Sequence, residues 1–232
     1  MMVNAVDPGG KWLYRVGGIS AIVLGIAYII IIALYVPVGV PPTGAEARLM
    51  YVAGNTTLWW AILGLSVLTD FLFIPLAFSL YAALKGINKN LMLMGTALVL
   101  LFVVLDLAIT WTNYASIITL SGQYASATND AERAVFVTAA IYPTMMLESR
   151  LLFVYNTLTL SVGILMTGVV MLKGIFSKTT AYLGVATGIL GIVAVVGPFF
   201  VSALSAAIII ASILTTAWVM FAGYRLYRLG QQ

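Results

Sequence analysis

The sequence predicts an all-α fold: a polytopic membrane protein, a bundle of six transmembrane helices with a short outer interfacial helix before the fourth span. Three observations predict it. The chain is 62% hydrophobic and only 8% charged, with a mean hydropathy of +1.10, whereas a soluble domain is near half apolar and a quarter charged. The apolar residues gather in six runs close to the ~20 residues that a helix needs to cross hydrocarbon. The basic residues stand singly at the ends of those runs, where they orient a membrane protein rather than build a phosphate-binding patch. At 232 residues the chain holds these spans and little else, so residues 1–232 read as one domain.

The first span, Leu13–Val36, repeats Gly17, Ala21 and Gly25 at every fourth position, a face that lets a neighbouring helix approach closely. Its apolar part, Ile19–Val36, is longer than the core of a cleaved leader and reads as a span. The outer connection Pro37–Thr57 opens with the stiff PVGVPP and continues into AEARLMYVA, which suits one or two helical turns. Asn55-Thr56-Thr57 fits the glycosylation acceptor pattern, a tripeptide common by chance. The second span is Leu58–Leu84 and the third Leu91–Ile117, joined by the short basic turn Lys85–Asn90.

Within the second outer connection, Ser121–Tyr142, Asn129 and Asp130 are N-cap candidates with Glu132 in the first turn. The helix they start, Ala131–Ile141, covers only ~16 Å and cannot cross the bilayer. It either lies at the interface or extends the fourth span, Met146–Leu172, with Pro143 as the kink. The basic turn Lys173–Lys178 leads to the fifth span, Thr180–Val196, where Gly184 and Gly188 again favour close packing; the sixth is Val201–Arg225. If the six helices alternate, Lys11, Arg15, Lys85, Lys89, Lys173, Lys178, Arg225 and Arg228 share one side, against Arg48, Arg133 and Arg150 on the other. The positive-inside rule then puts both termini in the cytoplasm.

Cysteine and histidine are both absent. Disulfides, thiolate and imidazole metal sites, the HExxH motif and every Ser-His or Cys-His nucleophile pair are therefore excluded. No cofactor is expected, and the identity of any metal is left open.

The functional lead is acidic. The chain has only seven acidic residues, and two of them, Asp70 and Asp106, lie inside apolar spans. A charge at that depth costs roughly 2.5–3.5 kcal/mol or more unless it is paired, protonated or wetted. Counted along their helices from Lys85 and Asn90, the two stand at ~23 and ~24 Å from the basic side, hence at similar depth. Asp106, Thr110 and Asn113 follow an i, i+4, i+7 stripe. Pro75 leaves the carbonyl of Phe71 without its helical partner just below Asp70. On the fourth span Asn156 lies ~26 Å from the basic side, and Glu148, Tyr155 and Thr159 share a face.

These residues give a first reading: a multi-pass protein that binds, senses or passes a small cation, proton or polar ligand at an intramembrane carboxylate centre. In it Asp70 and Asp106 are the ionisable pair, Asn113, Tyr155 and Asn156 orient the ligand, and Glu148 with Arg150 gates the outer mouth. A second reading is a non-catalytic accessory or lipid-interacting subunit, in which Arg150 pairs with one aspartate and the polar centre only locks helices. A remote third is an intramembrane aspartate-dependent hydrolase; the residues ahead of the aspartates, Leu68-Thr69 and Leu105, lack the Tyr-Asp and Gly-x-Gly-Asp signatures of that class. As partners the sequence points to membrane lipids and a small cation or proton and excludes nucleic acid. A homo-oligomer or a larger membrane complex stays open.

Arg15-Val16-Gly17-Gly18 opening the first span, Asp70 followed by the Leu80-Tyr81 exit of the second, and Leu172-Lys173-Gly174 leading to Tyr182-Leu183-Gly184 resemble an uncharacterised prokaryotic integral membrane family. That family is the domain of unknown function numbered four-three-eight-six, and the likeness covers roughly the first five spans. The resemblance implies a helical bundle in the plasma membrane of a bacterium or archaeon. It implies no activity.

Overall fold

The computed structural model describes residues 10–232. Among them there is no strand. Six helical stretches are long and apolar enough to cross a membrane: Lys11–Tyr35, Thr56–Leu84, Lys89–Ser126, Arg150–Met171, Lys178–Phe199 and Ser202–Gln231. Their elements in order are α1 (Lys11–Tyr35), α2 (Ala45–Ala53), α3 (Thr56–Leu84), α4 (Lys89–Leu105), a π-helical segment Asp106–Trp111, α5 (Thr112–Ser126), α6 (Asp130–Glu148), α7 (Arg150–Phe153), a second π segment Val154–Leu158, α8 (Thr159–Met171), α9 (Lys178–Val196) and α10 (Ala207–Gln231).

Helix starts follow the local chemistry. The side chains of Asn88, Asn129, Ser149 and Ser177 each accept a hydrogen bond from a first-turn backbone N–H that has no intrahelical partner. The predicted cap of the outer helix is thus Asn129. That helix, α6, extends past Pro143 to Glu148. The chain breaks at Ser149, whose ψ of 136° is extended, and the fourth span begins afresh at Arg150. A proline within a helix costs one hydrogen bond, whereas a residue in extended geometry ends the helix outright. AEARLMYVA forms α2 in full. The third span runs nine residues beyond its predicted end, to Ser126; residues 121–126 read as part of the outer connection, yet they are helical and held in the cap.

The spans form a ring in which neighbours in sequence are neighbours in space: α1 packs on α3, α3 on α4, α4 on α8, α8 on α9, α9 on α10, and α10 returns to α1. Closure is marked by Arg15, whose Nε donates to Gly230 O at 2.6 Å, and by Lys11, whose Nζ donates to Gln232 O at 3.0 Å. Both the start of α1 and the end of α10 therefore lie on one side, the terminal side. On the opposite side α2, the outer end of α5 and α6 pack together as a cap.

Two apolar clusters result. The larger joins Tyr14, Leu24, Phe73, Phe102, Ile164 and Trp218 through the ring. The smaller joins Leu49, Val52, Trp59, Ile62, Ile118 and Leu147 beneath the cap. The outward faces stay apolar, with Ile19, Ile26, Ile30, Phe71, Phe78, Val104 and Phe221 all exposed. A soluble protein would not tolerate that belt, and lipid tails solvate it.

Candidate functional site

The centre of the bundle is polar because two helices change pitch there. The segments Asp106–Trp111 and Val154–Leu158 are π-helical and contact each other across the bundle. Bonding from i to i+5 widens a turn and re-aims its side chains. In a straight α-helix a residue five positions on lies well round the cylinder. Here Trp111 returns to the side of Asp106 and reaches α3, where its Nε1–H donates to Asp70 Oδ2 at 2.8 Å.

The two aspartates differ in their company. Asp70 is 2% exposed and is held by the indole. Asp106 is 5% exposed, and its Oδ1 is buried without a hydrogen-bond partner. Its polar neighbours are Thr110, Trp111 and Asn156, and the Thr110 hydroxyl is itself buried and unpartnered. The carboxyl groups lie within electrostatic reach of each other. Tyr28 of α1 stands beside both.

Asp106 lies on the wall of a cavity of about 350 Å³, in the range that takes small organic ligands. The cavity fills the cap-side half of the ring. Tyr28, Ile31, Ile32 and Tyr35 of α1 line one wall, Ile208, Ala211, Ser212, Thr215 and Thr216 of α10 another, and Asp106, Asn156 and Thr157 its polar floor. An aromatic group closes it toward the cap: the Tyr35 ring packs edge-on to Trp59 at 5.8 Å, and Trp59 stacks on Tyr114 at 5.9 Å.

Of the residues singled out from sequence, Asp70, Asp106 and Asn156 come together here. Asn113 does not line the cavity, because the π segment interrupts the expected stripe and its Nδ2 donates to Ile109 O at 2.6 Å within its own helix. Tyr155 is half-buried, and its carbonyl takes the Thr159 hydroxyl. Glu148 does not share a helical face with Tyr155, since Ser149 separates them. Glu148 and Arg150 also part company. Glu148 Oε1 lies 3.3 Å from Arg48 Nη2 and accepts the Gly44 N–H at 3.1 Å. Arg150 instead covers the Phe199 ring at 5.1 Å, and among the described residues no aspartate pairs with it.

Trp111, Tyr28 and Arg48 were missed. Trp111 was passed over in the sequence, and only the π turn, which has no sequence signature, aims it inward. Arg48 was legible as an arginine within an amphipathic outer segment, but its partner lies 100 positions away. Among the described residues no three acidic side chains converge as a metal cage would require. Comparison with protein-family models, with curated proteins and with solved structures returned no match.

Proposed function

We propose that this multi-pass protein binds a small cationic or hydrogen-bond-donating ligand, a bare proton included, at Asp106 inside the membrane. The observation that carries the reading is the Asp106 carboxyl group: the residue lines a 350 Å³ cavity, and its Oδ1 is buried without a hydrogen-bond partner. A buried acceptor left unmet costs about 1–3 kcal/mol, more when charged, so a donor that fills the cavity gains what the apo protein lacks. Asn156 and Tyr28 line the same cavity and orient the guest. Asp70 stands behind, held by Trp111 and outside the cavity lining. With the basic ends of the spans facing the cytoplasm, the cavity lies in the outer half of a prokaryotic plasma membrane.

The test is methylammonium binding and proton uptake by protein in nanodiscs. Asp106→Asn, which preserves volume, is expected to abolish both without lowering the melting temperature. Retained binding in that variant sinks the reading. A second reading, a structural subunit whose polar centre only locks helices, is favoured by the Asp70–Trp111 bond. It expects Asp106→Asn to change stability alone.

A further inference from the structure

The shape of the seam between α1 and α10 says from where the cavity is filled. On the terminal side the two helices touch backbone to backbone. A Cβ built on Gly18 would stand 2.5 Å from the Tyr227 backbone nitrogen, and one on Gly223 would stand 2.7 Å from Ala21 Cβ. This is the close approach that small residues permit. Toward the cap the facing residues become Tyr28, Ile31 and Ile32 on α1 and Ile208, Ala211 and Ser212 on α10, and the cavity opens between them. Ile32 is 46% exposed and Ser212 is exposed, both on the outward face of the ring. The seam is closed toward the termini and parted toward the cap.

Routes from water are less favourable. The Tyr35–Trp59–Tyr114 stack and the apolar cluster beneath α2 block the way under the cap. Beside Ile208 lies a second cavity of about 190 Å³, and its rim carries Arg150. A fixed guanidinium there repels a cation arriving from that side.

The walls also restrict chemistry. On α10 the hydroxyls of Ser212, Thr215 and Thr216 each donate to a carbonyl of their own helix. The Thr157 hydroxyl donates to Asn156 Oδ1 at 2.8 Å. Their protons are spent, and what they offer inward is lone pairs and methyl groups. Beside the Asp106 carboxyl, the cavity thus carries several acceptors in a mostly apolar sleeve, together with the hydroxyls of Tyr28, Tyr35 and Ser161 and the Asn156 amide.

We infer that the ligand is an amphiphilic amine, an ammonium head on a hydrocarbon tail, which enters from the bilayer through the parted α1–α10 seam and seats its head against Asp106. This rests on the reading of Asp106 as the ligand anchor.

The experiment measures binding of dodecylamine, dodecanol and methylammonium to the full chain in nanodiscs of zwitterionic lipid. Specific dodecylamine binding is expected, and it falls at least about tenfold in Asp106→Asn, equivalent to ~1.4 kcal/mol. Ser212→Trp, and independently Ile32→Trp on the opposite lip, should slow dodecylamine association about tenfold, and more than they slow methylammonium association. Two variants guard against one that folds poorly. Three outcomes overturn the inference while sparing the Asp106 site: methylammonium binds but dodecylamine does not, dodecanol binds as well as dodecylamine, or neither lip variant slows entry. If neither amine binds and no proton is taken up, the Asp106 reading fails and this inference with it.

Discussion

Trp111 holds Asp70 across the bundle: its indole N–H donates to a carboxylate 41 positions earlier in the chain, at 2.8 Å. The bond joins the first π segment to α3 and takes up the one indole donor near the aspartates. It also sorts the two aspartates into different jobs, one sealed and partnered, the other bordering open space.

The first prediction tests that bond. Trp111→Phe keeps most of the ring but leaves Asp70 buried without its donor, and should cost about 1–3 kcal/mol of stability. Asp70→Asn retains an acceptor for the indole and removes a buried charge, so it should be neutral or stabilising. In the double variant the Trp111→Phe penalty should shrink, because no buried charge is left unmet. Melting curves in detergent read all three; strictly additive losses would show that the bond contributes nothing.

The second concerns the α1–α10 seam. Gly18→Ala pushes a methyl into the Tyr227 backbone, which cannot rotate away, and should destabilise by about 1–3 kcal/mol. Gly64 on α3 has open space where its Cβ would stand, so Gly64→Ala should be neutral or better, since alanine is the stronger helix former. Equal melting temperatures for the two variants would contradict the close approach.

The six spans were legible in the sequence because lipid imposes a simple rule: backbone groups must bond within the segment, and apolar runs of the right length become helices. The burial of Asp70 and Asp106 followed from the same rule, since an acidic group in hydrocarbon turns inward. What escaped was local and angular. Neither π segment has a compositional mark, so Asn113 was placed by α-helical arithmetic on a face that the extra residue rotates away, and Trp111 was overlooked. The break at Ser149 was missed because Pro143 gave the louder signal, and with it went the supposed Glu148–Arg150 gate. Long-range pairing, as of Arg48 with Glu148, depends on how α2 and α6 meet in the cap, and no spacing along the chain encodes that.

The third prediction follows from that pairing. Arg48 is 7% exposed, and its Nη2 reaches both Pro42 O and Glu148 Oε1 at 3.3 Å. The Glu148 side chain is 32% exposed, so solvent screens the pair, and Arg48→Met should cost only about 1 kcal/mol overall. Its larger effect is local: α2 loses its tie to α6, and amide exchange across Ala45–Ala53 should quicken while the six spans stay protected. Exchanging the two residues as Arg48→Glu with Glu148→Arg should not restore protection, because Pro42 O would lose its donor and the Gly44 N–H its acceptor. Recovery in the exchanged variant would mean that charge alone holds the cap.

The last prediction is a pH dependence at the start of α6. Glu132 Oε2 accepts from the Thr128 backbone N–H at 2.8 Å and from the Thr128 hydroxyl at 3.2 Å, while Asn129 Oδ1 accepts the Glu132 N–H. This reciprocal cap satisfies donors that the first turn leaves open, and the Thr128 backbone and hydroxyl donors hold the Glu132 carboxyl below the usual carboxylate range. A carboxylate whose folded value lies below its unfolded one adds stability above the unfolded value and gives it up as pH falls through the folded one. The first turn of α6 should therefore stay ordered at neutral pH and fray only in acid, below the ordinary titration range of glutamate. Glu132→Gln keeps an acceptor for the Thr128 N–H but cannot titrate, so it should lose the transition, as followed by NMR of the Thr128 and residue-132 amides. If the wild-type amides instead shift at the pH of a free glutamate, the carboxylate is not capping the helix, and α6 owes its start to Asn129 alone.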